Sequence, residues 1–227
     1  MVFVTLLSCV STTYGQTEWG IRVNQNTDFF TVTYQNEENS FEEHQANFTR
    51  LSVELNRIRE NVIEELELFI PQINAPVDHV QFPWPQELTR QNNSINKTSS
   101  YSLRYSYTRI IRKQTSAFNV ALGAAVNPYY LRAASDPYLS DHYASNRNIL
   151  GVSLNLVPAV HFNASNHITL VVDCPFKVVD FYYISAITKN PTLPFGEQII
   201  HKTEASFFMQ AYTLRTGIMY SVGSKIN

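Results

Sequence analysis

Residues 151–179 read GVSLNLVPAVHFNASNHITLVVDCPFKVV. Counted from Leu150, the even positions Leu150, Val152, Leu154, Leu156, Pro158, Val160 and Phe162 are apolar, while Gly151, Ser153, Asn155 and His161 take odd ones. After Asn163-Ala164-Ser165-Asn166 the alternation resumes with Ile168, Leu170, Val172, Cys174, Phe176 and Val178, opposed by Thr169, Asp173 and Lys177. A sustained period of two is that of a strand with unlike faces, and two such runs around a tight polar turn make a hairpin. The fold turns on what wets the greasy faces, a protein interior or lipid.

The same pattern recurs on either side. Tyr101, Leu103, Tyr105 and Tyr107 alternate with Ser102, Arg104, Ser106 and Thr108, and after a turn at 112–116 the chain returns with Phe118, Val120, Leu122, Ala124 and Val126 on one face. A last strand, about Thr203 to Val222, sets Tyr212, Leu214, Ile218, Tyr220 and Val222 against Arg215, Gly217 and Ser221. Near the start, Trp19, Ile21 and Val23, then Phe30, Val32 and Tyr34, change parity, which fits either one long bent strand or a hairpin turning near Asn24 to Asp28.

Strands of soluble proteins run about five or six residues. These run to about a dozen, and a strand crossing a bilayer at a 45° tilt needs roughly 9 to 11. Connections alternate between short turns, at 112–116 and 163–166, and longer excursions at about 35–98, 133–146 and 185–202, as in outer-membrane barrels. The polar faces hold mostly Ser, Thr, Asn, Gly and Ala, with Arg104, Asp173, Lys177 and Arg215 as occasional charges. That mixture suits a narrow lumen filled by side chains better than a solvated surface, because unpaired charges in so confined a space are costly. The four charges are therefore expected to form a paired network plugging the lumen. Tyr129, Tyr130, Tyr182 and Tyr183 at one end of the strands, with Phe118, Phe162 and Tyr220 at the other, are expected to form two aromatic girdles. The competing architecture is a soluble sandwich or small closed barrel, whose greasy faces point inward.

Composition agrees with a membrane setting. The 227 residues carry 17 basic and 19 acidic side chains, a net charge of −2, which gives no electrostatic reason to expect nucleic acid as a partner. Only 16% of residues are charged, against the usual quarter. Residues 1–15, with an apolar run from Val2 to Val10 and small or polar residues to Gly15, read as a secretion signal, leaving 16–227 as the barrel domain. Leu6-Leu7-Ser8-Cys9 also fits a lipobox, so a soluble β-fold lipoprotein anchored at Cys9 is the alternative.

One stretch departs from the strand pattern. Phe41, Phe48, Leu55, Val62 and Phe69 recur every seven residues, with Leu51 and Ile58 between them, before Pro71. Together with the abundance of Glu, Leu and Arg this predicts an amphipathic helical insertion near 41–70, followed by a Pro-rich linker, so that helix and linker occupy about 36–98. The rival reading makes Leu51, Val53 and Leu55, then Leu66, Leu68 and Ile70, a further hairpin. With the helix, the fold is mainly β: an antiparallel up-and-down transmembrane barrel of about eight strands.

From about Ser100 onward the sequence resembles the small outer-membrane β-barrel proteins of Bacteroidetes, in Ala125-Val126-Asn127-Pro128-Tyr129-Tyr130, Leu156-Val157-Pro158, Asn190-Pro191-Thr192-Leu193-Pro194 and Leu214-Arg215-Thr216-Gly217-Ile218-Met219-Tyr220; the signal ending at Gly15-Gln16 is of the same kind. The resemblance implies a bacterial outer-membrane location, with outer-membrane lipid and the barrel-insertion machinery, which reads the last strand, as partners.

Signs of chemistry are sparse. His161 and His167 flank a turn without a third ligand at a metal spacing, and Ser140-Asp141-His142 in a long loop lacks a nucleophile elbow. No phosphate-binding glycine loop or basic-aromatic pattern is present. The expected protein is a non-enzymatic barrel without a cofactor, exposing long loops for envelope structure or for an external ligand that the sequence leaves open. An envelope enzyme is the remaining alternative.

Overall fold

The structure is a computed structural model that describes residues 17–35, 41–59, 61–75, 97–113, 117–135, 144–207 and 211–222. The signal and lipobox, Ser140-Asp141-His142 and most of the Pro-rich linker lie outside these residues. Eleven strands occur among them: β1 (Thr17–Gln35), β2 (Phe41–Arg59), β3 (Val62–Phe69), β4 (Gln72–Ala75), β5 (Lys97–Lys113), β6 (Phe118–Ser135), β7 (Ser145–Asn163), β8 (Ile168–Asp173), β9 (Phe176–Thr188), β10 (Ile199–Phe207) and β11 (Ala211–Val222). They make eight staves of one closed antiparallel barrel. β3 and β4 are one stave interrupted at Ile70-Pro71, β8 and β9 one stave interrupted at Cys174-Pro175, and β10 with β11 the last. Proline has no N–H to give the ladder, and both interruptions fall at one, although Pro128 and Pro158 are accommodated within β6 and β7.

β11 closes the ring on β1, with Trp19 opposite Val222 and Phe30 opposite Ala211. The stagger follows from one row of outward residues: Trp19, Arg57, Glu64, Tyr107, Ala124, Leu156, Phe176, Tyr212, and then back on β1 at Phe29. The row returns 29 − 19 = 10 residues up the strand on which it began. A shear of that size on eight staves tilts the strands by about 40–45°, within the range of closed barrels.

The two faces are unlike along every stave. On β1, Arg22, Asn24, Asn26 and Asp28 are buried inside while Ile21 and Val23 are exposed. On β11, Arg215, Met219 and Ser221 point inward, and Ile218 is 60% exposed. Thus β1 is one strand of 19 residues, without the turn at Asn24 to Asp28. Large apolar residues are exposed along the outside of every stave, the reverse of a soluble sandwich, while a smaller apolar cluster of Tyr129, Leu131, Ala133, Ile149, Tyr182 and Ile184 is buried within.

No helix forms at 41–70. The region is the antiparallel pair β2–β3, with Leu55 opposite Leu66 and Val53 opposite Leu68. Leu51, Val53, Leu55, Leu66 and Leu68 face outward, while Ser52, Glu54, Asn56, Glu65 and Glu67 are buried inside. Helix propensity is a weak prior; here the lumen decides, since each of these glutamates meets a guanidinium. The seven-residue recurrence misleads because seven is odd: on β3, Val62 shares the outward parity of Leu66 while Phe69, one repeat on, is buried. The linker shortens accordingly, with β4 and the start of β5 inside 72–98. The excursion expected at 185–202 is mostly strand too, leaving 189–198 with one 3₁₀ turn, Phe195–Glu197.

One bulge reverses parity within β9. Leu154 lies opposite Val179 but Asn155 opposite Lys177, so Val178 is the extra residue. Phe176 faces out, but beyond the bulge the outward residues are Phe181 and Tyr183, and Tyr182 turns inward. Tyr129 also points inward, by plain alternation with Val126. Neither tyrosine belongs to the girdle expected of it.

Candidate functional site in the barrel lumen

Half-way along the staves the lumen is crossed by ion pairs. Arg215 on β11 donates from Nε to both Asp173 oxygens, at 2.6 and 2.7 Å, and from Nη1 to Glu54 at 2.7 Å and Glu67 at 3.0 Å. Arg22 on β1 donates to Glu54 at 2.5 Å and approaches Glu65 at 3.5 Å and Asp173 at 3.4 Å. Arg104 on β5 pairs with Glu67. Three guanidiniums thus meet four carboxylates, Arg22 and Arg215 being 0% and 1% exposed. Neutral donors complete the shell. Asn24 donates to Glu54 and Glu67, Ser52 to Glu67, and Ser106 to Glu65. Carboxylates moved out of water are tolerable only with such multiple partners.

Of the four lumen charges expected from sequence, the structure brings Arg104, Asp173 and Arg215 into this cluster. Lys177 stands apart from Asp173. Beyond the bulge it bonds Asp180 at 3.1 Å, and Asp180 also accepts the Tyr129 hydroxyl at 3.0 Å. The four residues missed, Arg22, Glu54, Glu65 and Glu67, lie on strands whose parity the sequence leaves open or whose composition favours a helix. Their signal was present: Ser52, Glu54 and Asn56 alternate with Leu51, Val53 and Leu55.

Towards the long-loop end the plug gives way to a small open-mouthed cavity of about 30 Å³, lined by side chains such as Asp28, Arg50, Phe69, Arg104, Lys177 and Tyr212. Arg50 pairs with Asp28 at 3.0 Å and lies 4.0 Å from the centre of the Phe69 ring. The lining mixes polar side chains with Phe69, Pro175 and Tyr212, and its cations are engaged. His161 is buried inside near the short-turn end and His167 lies in the turn, with Nδ1 3.2 Å from the Ser221 carbonyl. Among the described residues, no cluster of three His, Cys, Asp or Glu has the geometry to hold a metal.

Tyr129 lies against the backbone of Gly151, where an added Cβ would overlap its ring. Gly151→Val is therefore expected to push the ring off Asp180 and lower stability by about 1–3 kcal/mol. The midpoint of the heat-induced shift in gel migration reports it, and an unchanged midpoint would contradict this packing.

On the outside, aromatic residues end the apolar belt at both edges. Phe118 and Phe162 pack at 4.8 Å near the short turns, with Tyr220 on β11 and Trp19 on β1. Near the other edge are Tyr101 with Tyr130 at 6.3 Å, Phe29 with Tyr212 at 5.0 Å, and Tyr183 with His201 at 5.9 Å. About ten residues separate the two edges on a tilted strand, roughly 24 Å of height, which matches the apolar band of a membrane barrel. A closed ring needs no water for its backbone, and a greasy exterior with an ionic interior suits only hydrocarbon surroundings. This is a membrane-spanning β-barrel of the outer-membrane type.

The fold has a counterpart among solved structures. No protein-family model matches the chain, and no curated protein matches it in sequence. The solid-state NMR structure of the outer membrane protein AlkL in lipid bilayers is similar over 96% of each chain, with a TM-score of 0.52 and 9% identity. Neisserial surface protein A matches over 90% of this barrel and 98% of its own chain, with a TM-score of 0.46 and 11% identity. A major outer membrane protein of Thermus thermophilus matches over 91% and 99%, with a TM-score of 0.46 and 10% identity.

Proposed function

We propose that this barrel is a non-conducting, non-enzymatic outer-membrane protein whose hairpins beyond the membrane serve envelope structure or bind an external partner. The observation that carries the reading is the plug: seven charged side chains from β1, β2, β3, β5, β8 and β11 meet across the lumen at mid-height, and all are buried. A barrel of eight strands has an interior just wide enough for side chains to fill it. With ion pairs at its centre, a hydrated ion has no path that leaves the pairs intact. The strands, by contrast, outrun the belt at the long-loop end. There β9 and β10 project as a hairpin whose tip holds Phe195, 78% exposed, and Leu193. An exposed aromatic at a loop tip is a common anchor for a partner.

The purified, refolded protein is expected to give no unitary current steps in planar bilayers. Reproducible steps from the unaltered chain would overturn the reading.

A further inference from the structure

The short-turn rim of the outer face is chemically lopsided. On the flank made by β6, β7, β8 and β11, the outward residues of the described strands are Phe118, Phe162, Ile168, Tyr220 and Val222, with the His167 ring of the turn stacked on Tyr220. The opposite flank carries arginines. Arg59 and Arg109 both lie opposite Val62, one on each side, so two guanidiniums bracket a valine across three neighbouring strands, with Cα atoms about 10 Å apart. Arg57, one row further from the turn, is 3.6 Å from Glu64 and sits over Trp19, 5.8 Å from the ring centre.

Among the described outward side chains of this flank's rim, three guanidiniums face one carboxylate. In sequence the next charges after Arg59 and Arg109 are Glu60, Arg112 and Lys113, which sum to +1. Its height fixes the surroundings: the arginines share the level of the lower aromatic girdle, where side chains leave hydrocarbon and reach headgroups. Short turns face the periplasm, so the leaflet is the inner one, built of glycerophospholipid. A guanidinium pair at that level meets phosphate, and a net positive flank distinguishes headgroups by net charge.

We propose that the β2–β3–β5 flank is a binding surface for anionic phospholipid in the periplasmic leaflet, with Arg59 and Arg109 holding the headgroup phosphate and Arg57, steadied by Trp19 and Glu64, adding the third positive charge. The lipid is selected by its net negative charge, as in phosphatidylglycerol, over zwitterionic headgroups that offer the same phosphate.

Trp19 is the reporter. The chain has 2 tryptophans, so Trp84→Phe leaves Trp19 alone. This full-length protein is folded into phosphatidylcholine vesicles containing an equal small fraction of brominated-chain phosphatidylglycerol or brominated-chain phosphatidylcholine, and quenching is compared. The anionic quencher is expected to win by about 5-fold in relative binding. The preference should vanish in Arg57→Gln/Arg59→Gln/Arg109→Gln and fall with added salt. A reporter on the other flank, Phe162→Trp in a Trp19→Phe/Trp84→Phe background, should show none. Equal quenching of Trp19 by the two lipids, or the same preference at both flanks, overturns the proposal. Should the triple variant not fold, Arg109→Gln alone must lower the preference, and one that survives both this substitution and high salt overturns the proposal equally.

Discussion

Arg215→Ala should be the most damaging single substitution in the lumen, lowering the unfolding free energy by about 3–5 kcal/mol. The size follows from what is left behind. Arg215 holds both oxygens of Asp173 and one oxygen each of Glu54 and Glu67. Without it, Arg22 and Arg104 remain against four buried carboxylates, and the side chain that occupied the middle of the lumen is gone. Urea titration in detergent micelles, followed by the heat-modifiable band, measures the loss. An exposed pair calibrates it: Lys202, near the end of the β9–β10 hairpin, also pairs with Glu204, and Lys202→Ala is expected to change stability by no more than about 0.5 kcal/mol. Replacing both members of the central pair, Arg215→Met with Asp173→Leu, should cost less than Arg215→Ala alone, because no carboxylate is then stripped of its principal partner. A loss for Arg215→Ala as small as that for Lys202→Ala would mean that the cluster does not hold the staves together.

Leu66→Arg should be the most damaging substitution on the outer face, at about 2–4 kcal/mol. Leu66 faces out from the middle of the belt, between Leu55 on β2 and Tyr105 on β5. An arginine there must lie in hydrocarbon or stretch to a distant headgroup. Near the belt edge the same change costs roughly 0–1 kcal/mol, so Val222→Arg, at the end of β11 beside Trp19, is the internal control. Refolding into lipid vesicles under urea gives both values. In a soluble barrel the outer face is already in water and an arginine there would cost little. Equal, small effects at the two positions would therefore contradict the membrane placement.

How much of this was legible beforehand depended on whether local pattern and lumen chemistry agreed. β5, β6, β7 and β11 alternate cleanly and were readable from Tyr101, Phe118, Leu150 and Tyr212 onward, as were the inward positions of Arg104, Asp173 and Arg215. β2 and β3 were obscured because their inward residues, Glu54, Glu65 and Glu67, are good helix formers, and nothing local says that their partners are Arg22 and Arg215, up to 161 residues away. Tyr182 was misplaced for another reason: the bulge at Val178 shifts parity, and valine in a strand gives no sign of one. Tyr129 needed no structure. Strict counting from Phe118 puts it inside, and Gly151 opposite it is the residue that makes room.

The account rests on lipid wetting one face of every stave, and a nitroxide scan along Phe118 to Tyr130 in vesicles tests it most directly. With Cys9 and Cys174 replaced by serine, oxygen collision rates should peak at the even positions Val120, Leu122, Ala124 and Val126 and be greatest near the bilayer centre. Labels at the odd positions, such as Asn119, Ala121 and Ala125, should be shielded from oxygen. Even positions that collide instead with a water-soluble nickel complex along the whole strand would show water where the account requires hydrocarbon.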